Sequence, residues 1–434
     1  MVRFKHLCLI ALVAGPMLAS CVTDSAGTPG AVTSSSLTAA APASASTPAS
    51  APMPAPAPMP AIMYSAPITI SSGGIYSGNW ESTKDDVASV TIATTDPVTI
   101  ENCYLKGPGV QIDHAVKNVN LTIRNCVAQG TTPTVKGNYT GRFVYMDTPM
   151  SLTVEGNTLI GTSGILVANG DAPSILIRYN KAFNIDGRLS DGAGGYIPDT
   201  PTTTWRYLVQ FVQLVNVIAS SHTEIAWNEV VNEVGKSAVE DNISIYQSSG
   251  TAASPILIHD NYIQGAFTVT PLTDGHYNGG GITTDGRSNG VLAQATGFVH
   301  ILNNQVVASA NYGINIPAGH NVLASGNRAI SSCLTPQGQM MLSCAAGQSV
   351  WDAYGDAKFG TYFDNSIEND FVAWVNKHGA RDDWYTPNCM AGGCAGNVHL
   401  SIEPTLADEA AEYVTWTAKK TANSVAVGST LPGG

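Results

Sequence analysis

An all-β solenoid of the parallel β-helix type is the fold that this 434-residue sequence predicts. One observation behind it is a recurring phrase: an apolar residue, two variable residues, then Asn or Cys. A second is a Gly-Ile or Gly-Val phrase with alternating apolar positions, falling between copies of the first. The third is composition, with 12% charged residues against about 25% in an average globular chain, alongside 43 Gly and 44% hydrophobic residues. Many short strands joined by tight turns need that balance, and long helices do not.

The first phrase runs Ile100 to Cys103, Ile123 to Cys126, Val154 to Asn157, Ile177 to Asn180, Ile225 to Asn228, Ile258 to Asn261 and Ile301 to Asn304, with a degenerate copy ending at Asn327. Its last residue recurs at spacings of 23, 31, 23, 48, 33, 43 and 23. The three 23s and the near-double 48 define a basic coil of 23 residues, and the excess elsewhere maps to inserted loops. The second phrase includes Gly109-Val110-Gln111-Ile112, Gly164-Ile165-Leu166-Val167, Gly281-Ile282-Thr283-Thr284 and Gly313-Ile314-Asn315-Ile316. Alternation of period two in short runs bounded by Gly and Asn marks strands. Each coil then supplies two or three of them, and stacking sets like residues about 4.8 Å apart. The recurring Asn is expected to form a structural ladder of amides bonded above and below. A left-handed hexapeptide helix has a shorter coil.

These phrases resemble those of the right-handed parallel β-helix superfamily, which includes pectin lyases and polygalacturonases, over residues 68 to 332. The β-helix is placed at residues 67–332, and residues 333–434 are read as a cap and tail. Residues 405 to 424 have helical composition, and they are expected to close the last coil, with Phe371, Trp374 and Trp384 packing there.

Residues 1–20 read as a secretory leader, with Arg3 and Lys5 in its basic region and an apolar stretch from Leu7 to Ala14. Leu18-Ala19-Ser20-Cys21 resembles a bacterial lipobox, which implies lipidation at Cys21. With Val22 and Thr23 following, the resemblance implies an outer-membrane lipoprotein that touches the membrane through this anchor only. Residues 21–66 are an Ala-, Pro- and Ser-rich tether whose only charge is Asp24, too apolar-poor to fold. As a flexible coil it spans roughly 35 to 40 Å.

The formal charge is −12, and removing a leader with two cations and no acid makes it −14. No basic run is present, which excludes nucleic acid as partner. Polysaccharide is the expected partner, and a monomer the expected state. Apart from Cys8 and Cys21, six cysteines remain for an oxidising compartment. Cys333 with Cys344 and Cys389 with Cys394 are the better disulfide candidates. Cys103 and Cys126 occupy the ladder slot on consecutive coils, where a disulfide and stacked thiols both satisfy the spacing.

The superfamily resemblance implies a groove along one strand face, walled by inserted loops. The longest insertions fall between Asn180 and Asn228 and between Asn261 and Asn304, converging on Val239-Glu240-Asp241-Asn242-Ile243-Ser244-Ile245. That register resembles the segment where polygalacturonases carry two consecutive catalytic Asp residues, so Glu240 and Asp241 become candidate acid and base. The family's His, however, lies where this chain reads Gly279-Gly280-Gly281, and its remaining motifs are not found. On the next coil Asp285, Arg287 and His276 offer a carboxylate, a guanidinium and an imidazole suited to proton abstraction beside a carboxylate and stabilisation of the resulting enolate. Asp186, Arg188, Tyr246 and Tyr277 are candidate substrate-binding residues. Asp186, Arg188 and Asp191 read equally as a calcium or salt-bridge lock; no other cofactor and no transition-metal site is expected. The expected function is a polysaccharide-modifying hydrolase or lyase tethered to the envelope, with a non-catalytic structural or adhesive β-helix as the alternative.

Overall fold

The computed structural model describes residues 61–170, 174–198, 206–219, 221–275 and 279–434. Cys21, the leader and most of the tether lie outside the described residues, as do His276 and Tyr277. The fold is a right-handed parallel β-helix. Every full coil contributes one strand to each of three all-parallel sheets, of 11, 10 and 11 strands. The first sheet runs from Ile68–Ile70 to Trp384–Tyr385, the second from Gly74–Tyr76 to Ser366–Glu368, and the third from Asn79–Glu81 to Val398–His399.

Registered stacking builds the core. Along the first sheet Val90, Ile112, Val144, Ile165, Val212, Ile243, Ile282 and Ile314 lie directly over one another. All are buried, each at 1% exposure or less. Burial of such side chains contributes about 1.5–3 kcal/mol apiece, and β-branching suits them to a stacked strand.

The Asn phrase marks the corner between second and third sheets. The residue before each ladder position is left-handed, as at Asn102, Asn125, Asn303 and even the bulky Tyr179 and Trp227. Each ladder amide then bonds the next coil. Asn180 donates its backbone N–H and Nδ2 to Asn228 Oδ1 at 3.0 Å, although the two are 48 residues apart. The near-double spacing is therefore one coil carrying a long insertion, not two coils.

The solenoid also outlasts the boundary read at residue 332. Asn327 donates to Asp370 Oδ1 (2.6 Å), and Asp370 donates its backbone N–H to Asn397 Oδ1 (2.9 Å). The ladder thus gains two rungs. Ile367-Glu368-Asn369-Asp370 is the same phrase with Asp in the final slot, 43 residues after Asn327. The six cysteines form three disulfides, Cys103–Cys126, Cys333–Cys344 and Cys389–Cys394, with Cα separations of 4.6, 5.9 and 6.3 Å.

Burial pushes the Asp370 carboxyl up to about 6, against hydrogen bonds from Asn327 and Gln348 that favour its ionised form. A carboxyl whose folded pKa exceeds its unfolded one contributes stability below the unfolded value, about 4, and loses it as pH rises through about 6. Asp370→Asn is accordingly expected to raise stability at pH 7 by about 1–3 kcal/mol and to flatten its fall between about pH 4 and pH 6. Gln348 Oε1, buried without a partner, can accept the new amide proton once its own amide rotates. Denaturant midpoints across that pH range check this; a loss of stability would contradict it.

The C-terminal helix, α1 (Leu406–Ala422), does not close the last coil as composition suggested. A Thr405–Asp408 capping box starts it, and its buried face is Glu409, Glu412 and Trp416. That face lies against the outside of the third sheet, where Trp416 packs with Phe183, Val231, Tyr262 and Val307. Trp416 donates Nε1–H to Glu229 Oε2 (2.9 Å), Lys420 Nζ joins the same oxygen (2.6 Å), and Glu412 pairs with Arg328 (2.6 Å). Trp374 instead fills the solenoid interior with Ala329 and Val372, and Trp384 packs against them. The tail beyond α1 then steps back one coil at a time, through Gly428 N to Tyr179 O (2.7 Å), Ser429 N to Thr158 Oγ1 (2.9 Å), Thr430 N to Asn125 Oδ1 (2.7 Å) and Tyr104 OH to Pro432 O (3.0 Å). Trp416→Ala is expected to cost about 3–5 kcal/mol and to free α1 for proteolysis ahead of the solenoid. Limited digestion followed by mass analysis tests it; cleavage no faster than in the wild type would contradict it.

Candidate active site

The outer face of the first sheet is the floor of the candidate site. The chain enters this sheet from the third and leaves it toward the second, so loops of the first kind form one wall and loops of the second kind the other. Residues 184–198, 206–211, 232–240 and 267–275 belong to the first wall, and residues 286–296 and 351–365 to the second.

Glu240 stands on the first wall, immediately before the strand Asp241–Tyr246. It is half-buried, and its Oε2 accepts a hydrogen bond from Gln210 Nε2 at 2.7 Å. Arg142 fixes that amide. Its Nη2 donates to Gln210 Oε1 (3.1 Å) and Nη1 to the carbonyls of Ser163 (2.7 Å) and Gln210 (3.0 Å), so only the NH₂ side of Gln210 can face Glu240. Desolvation, reinforced by the like charge of Asp285, pushes the Glu240 carboxyl up to about 7, while Gln210, Arg206 and Arg142 oppose the shift.

Asp285 stands on the opposite rim, at the end of the strand Gly280–Asp285 and in register with Tyr246. Its Oδ1 accepts from Tyr354 OH (2.6 Å) and from the Gly286 N–H (2.7 Å). Burial raises its pKa, and these two donors pull it back toward the ionised form. The same site raises the phenols of Tyr246 and Tyr354, by desolvation and by the Asp285 and Glu240 charges, so both remain protonated donors. The two carboxyls therefore sit in different environments across one floor.

The remaining sequence-predicted residues separate. Asp241 is 3% exposed and packs against Gly280, where an added Cβ would lie 2.0 Å from its Oδ1. It does not stand beside Glu240 as a solvent-facing partner. That packing also explains Gly279-Gly280-Gly281: a Cβ at Gly279 would meet the Ala266 carbonyl at 2.3 Å and one at Gly281 the Gly313 carbonyl at 2.3 Å, so no imidazole fits there. Arg287 is exposed at the second rim, and its carbonyl accepts from Gln247 Nε2 (2.6 Å).

Asp186 and Arg188 form an ion pair at 2.9 Å, and Arg188 also donates to the carbonyls of Gly235 (2.6 Å) and Lys236 (2.9 Å) and lies 3.9 Å from the Tyr196 ring. This is the geometry of a salt-bridge lock between two loops of the first wall. Asp191 Oδ1 accepts from the Ala193 (2.7 Å) and Gly195 (3.0 Å) backbone, capping its own turn. Among the described residues no group of three or more His, Cys, Asp or Glu side chains is placed to hold a metal ion. A second lock, Arg206 to Asp274 at 3.3 Å, joins residues 206–211 to 267–275.

Gln210, Arg142 and Tyr354 escaped the sequence reading. Gln210 lies in Val209-Gln210-Phe211-Val212-Gln213, where a polar residue among buried apolar ones is the available signal, and Tyr354 lies beyond the point where the repeat fades. The fold and its groove define a parallel β-helix protein. Comparison with protein-family models, curated proteins and solved structures finds nothing that matches this chain.

Proposed function

We propose that this groove cleaves a polysaccharide by general acid catalysis. Glu240 serves as the acid and Asp285 as the base or nucleophile, in a protein held to the envelope by a lipid at Cys21 and the tether of residues 21–66. The observation that carries the reading is the pair of carboxyls flanking one floor with their environments set apart. Glu240 is held protonated near neutrality, while Asp285 has two donors supporting its anion. Glycoside cleavage uses that division of labour, one group protonating the leaving oxygen and the other activating water or attacking the sugar. Kinship with the pectin lyase-like superfamily is part of the same proposal. It is supported by the repeated phrase and by the three-sheet coil.

The test is turnover of bound glycans by the wild-type protein from about pH 5 to about pH 9. The expected profile declines as pH rises through about 7, where Glu240 loses its proton. Glycan binding with no turnover of any bound glycan would overturn catalysis and favour the adhesive reading.

A further inference from the structure

Arg142 is a buried cation whose acceptors are neutral. It is 4% exposed, and among the described residues its guanidinium donates to the carbonyls of Ser163 (2.7 Å) and Gln210 (3.0 Å) and to the side-chain oxygens of Gln210 (3.1 Å) and Gln213 (3.4 Å). Taking a guanidinium out of water is costly when no anion answers it directly. A group held at that cost calls for a reason.

The stacking register supplies one. Two residues ahead of the paired Val144, Ile165 and Val212, the positions of Arg142, Ser163 and Gln210 are equivalent on three consecutive coils. The next coil carries Asp241 there, with Glu240 immediately before it. The guanidinium spans the small Ser163 to reach Gln210, 68 residues away in sequence. Gln210 is fully buried and hands the contact on, its Nε2 donating to Glu240 Oε2 at 2.7 Å. Turned round, the amide would set its NH₂ against the Arg142 donors.

We infer that Arg142 is a positioning residue for the proposed acid: through Gln210 it assigns the proton of Glu240 to Oε1 and steadies the carboxylate left when that proton departs. This rests on the acid reading and deepens it. An amide N–H can only donate, so Oε2 is an acceptor in both states and the proton of the acid form belongs to Oε1. In the step itself the Oε1 proton passes to the leaving oxygen as that oxygen's bond to the sugar carbon breaks and it takes the bonding pair. Glu240 is left an anion in a desolvated place. Its bond from Gln210 becomes charge-assisted, and the guanidinium one amide away favours it further. The groups facing Glu240 are Asp285, Tyr246 and Tyr354 beside the cations Arg206 and Arg142, and those facing Arg142 are Tyr139, Tyr207 and Glu240. Arg142 itself touches no substrate in this scheme.

The test is the titration of Glu240 in the full chain, read by NMR of carbon-labelled glutamate carboxyls and assigned through Glu240→Gln, beside the pH profile of glycan turnover. In Arg142→Met and in Gln210→Met the titration is expected to move up from about 7 by about one pH unit. The alkaline limb of turnover should move with it, and turnover at about pH 6 should fall about tenfold with KM little changed. Gln210→Met, which keeps the two carbonyl bonds of the guanidinium, covers the case in which Arg142→Met does not fold. A fall in turnover at every pH with the Glu240 titration unmoved would make Arg142 merely structural, overturning the inference while leaving the acid reading standing. A wild type that turns over no glycan, or a limb that stays while the titration moves, would bring down the acid reading and this inference with it.

Discussion

Glu240→Gln is expected to lower glycan turnover by about 100- to 10,000-fold with little change in glycan affinity. Glutamine keeps the shape of the side chain and an oxygen to accept from Gln210 Nε2, but it has no proton to deliver to a leaving oxygen. The same substitution is expected to stabilise the fold. With its carboxyl raised to about 7, Glu240 contributes stability below its unfolded pKa of about 4.5 and loses it as pH rises through about 7. Above that pH the variant has no buried charge to hold beside Asp285. A gain in stability at about pH 8 coupled to a loss of turnover is the signature of a group kept for chemistry at a cost to the fold. Denaturation and turnover on one preparation decide it; a variant retaining a third of wild-type turnover would remove Glu240 from the acid role.

Asn228→Ala is expected to cost about 3–6 kcal/mol, the largest stability effect among these predictions. Asn228 is fully buried. Its Oδ1 accepts from the Asn180 N–H and Nδ2, both at 3.0 Å, and its Nδ2 donates to Ile177 O and Asn261 Oδ1, both at 2.9 Å. Alanine leaves the two Asn180 donors in an apolar interior without partners and takes from the Ile177 carbonyl the side-chain donor it has beside its sheet ladder. In a solenoid each coil touches only its neighbours, so the damage should be local. Hydrogen exchange is expected to accelerate on the coils around Asn180 and Asn261 and much less near Cys103. Uniform acceleration would contradict a nearest-neighbour account.

The coil was legible in the sequence because stacking forces chemical identity onto equivalent positions. An inward Ile recurs because the rung above is also Ile, and a corner Asn recurs because its amide must meet another amide. The same logic shows why the end of the solenoid was misplaced. Asp370 can occupy an Asn slot because Gln348 Nε2 donates to its second oxygen (2.7 Å), a substitution that depends on a side chain far away in sequence. The third-sheet strand Glu229–Val231 is buried on both faces because α1 covers it, so alternation could not reveal which side faced out.

Of the candidate site, Glu240 was singled out in the sequence by its register beside the longest insertions, and Asp285 by the Asp285-Gly286-Arg287 strand end on the next coil. Their separation onto two rims was not, since a one-residue step decides whether a side chain joins the floor or the corner. Asp241 is the instructive case. It was paired with Glu240 by adjacency in sequence, but the space left by Gly280 takes it into the wall.

The tail that reaches back to Tyr104 sets a timetable for folding. A chain that leaves the ribosome N-terminus first can stack its early coils as they emerge, since each needs only the one before it. Their third-sheet flank has to wait, because Ser429 and Thr430, which bond Thr158 and Asn125, follow them by 271 and 305 residues. Until then the strands that α1 will cover present Phe183, Val231 and Tyr262 to water. Folding therefore includes an interval in which an almost complete solenoid has one greasy side, and that interval ends only when α1 and residues 428–432 dock on the third sheet.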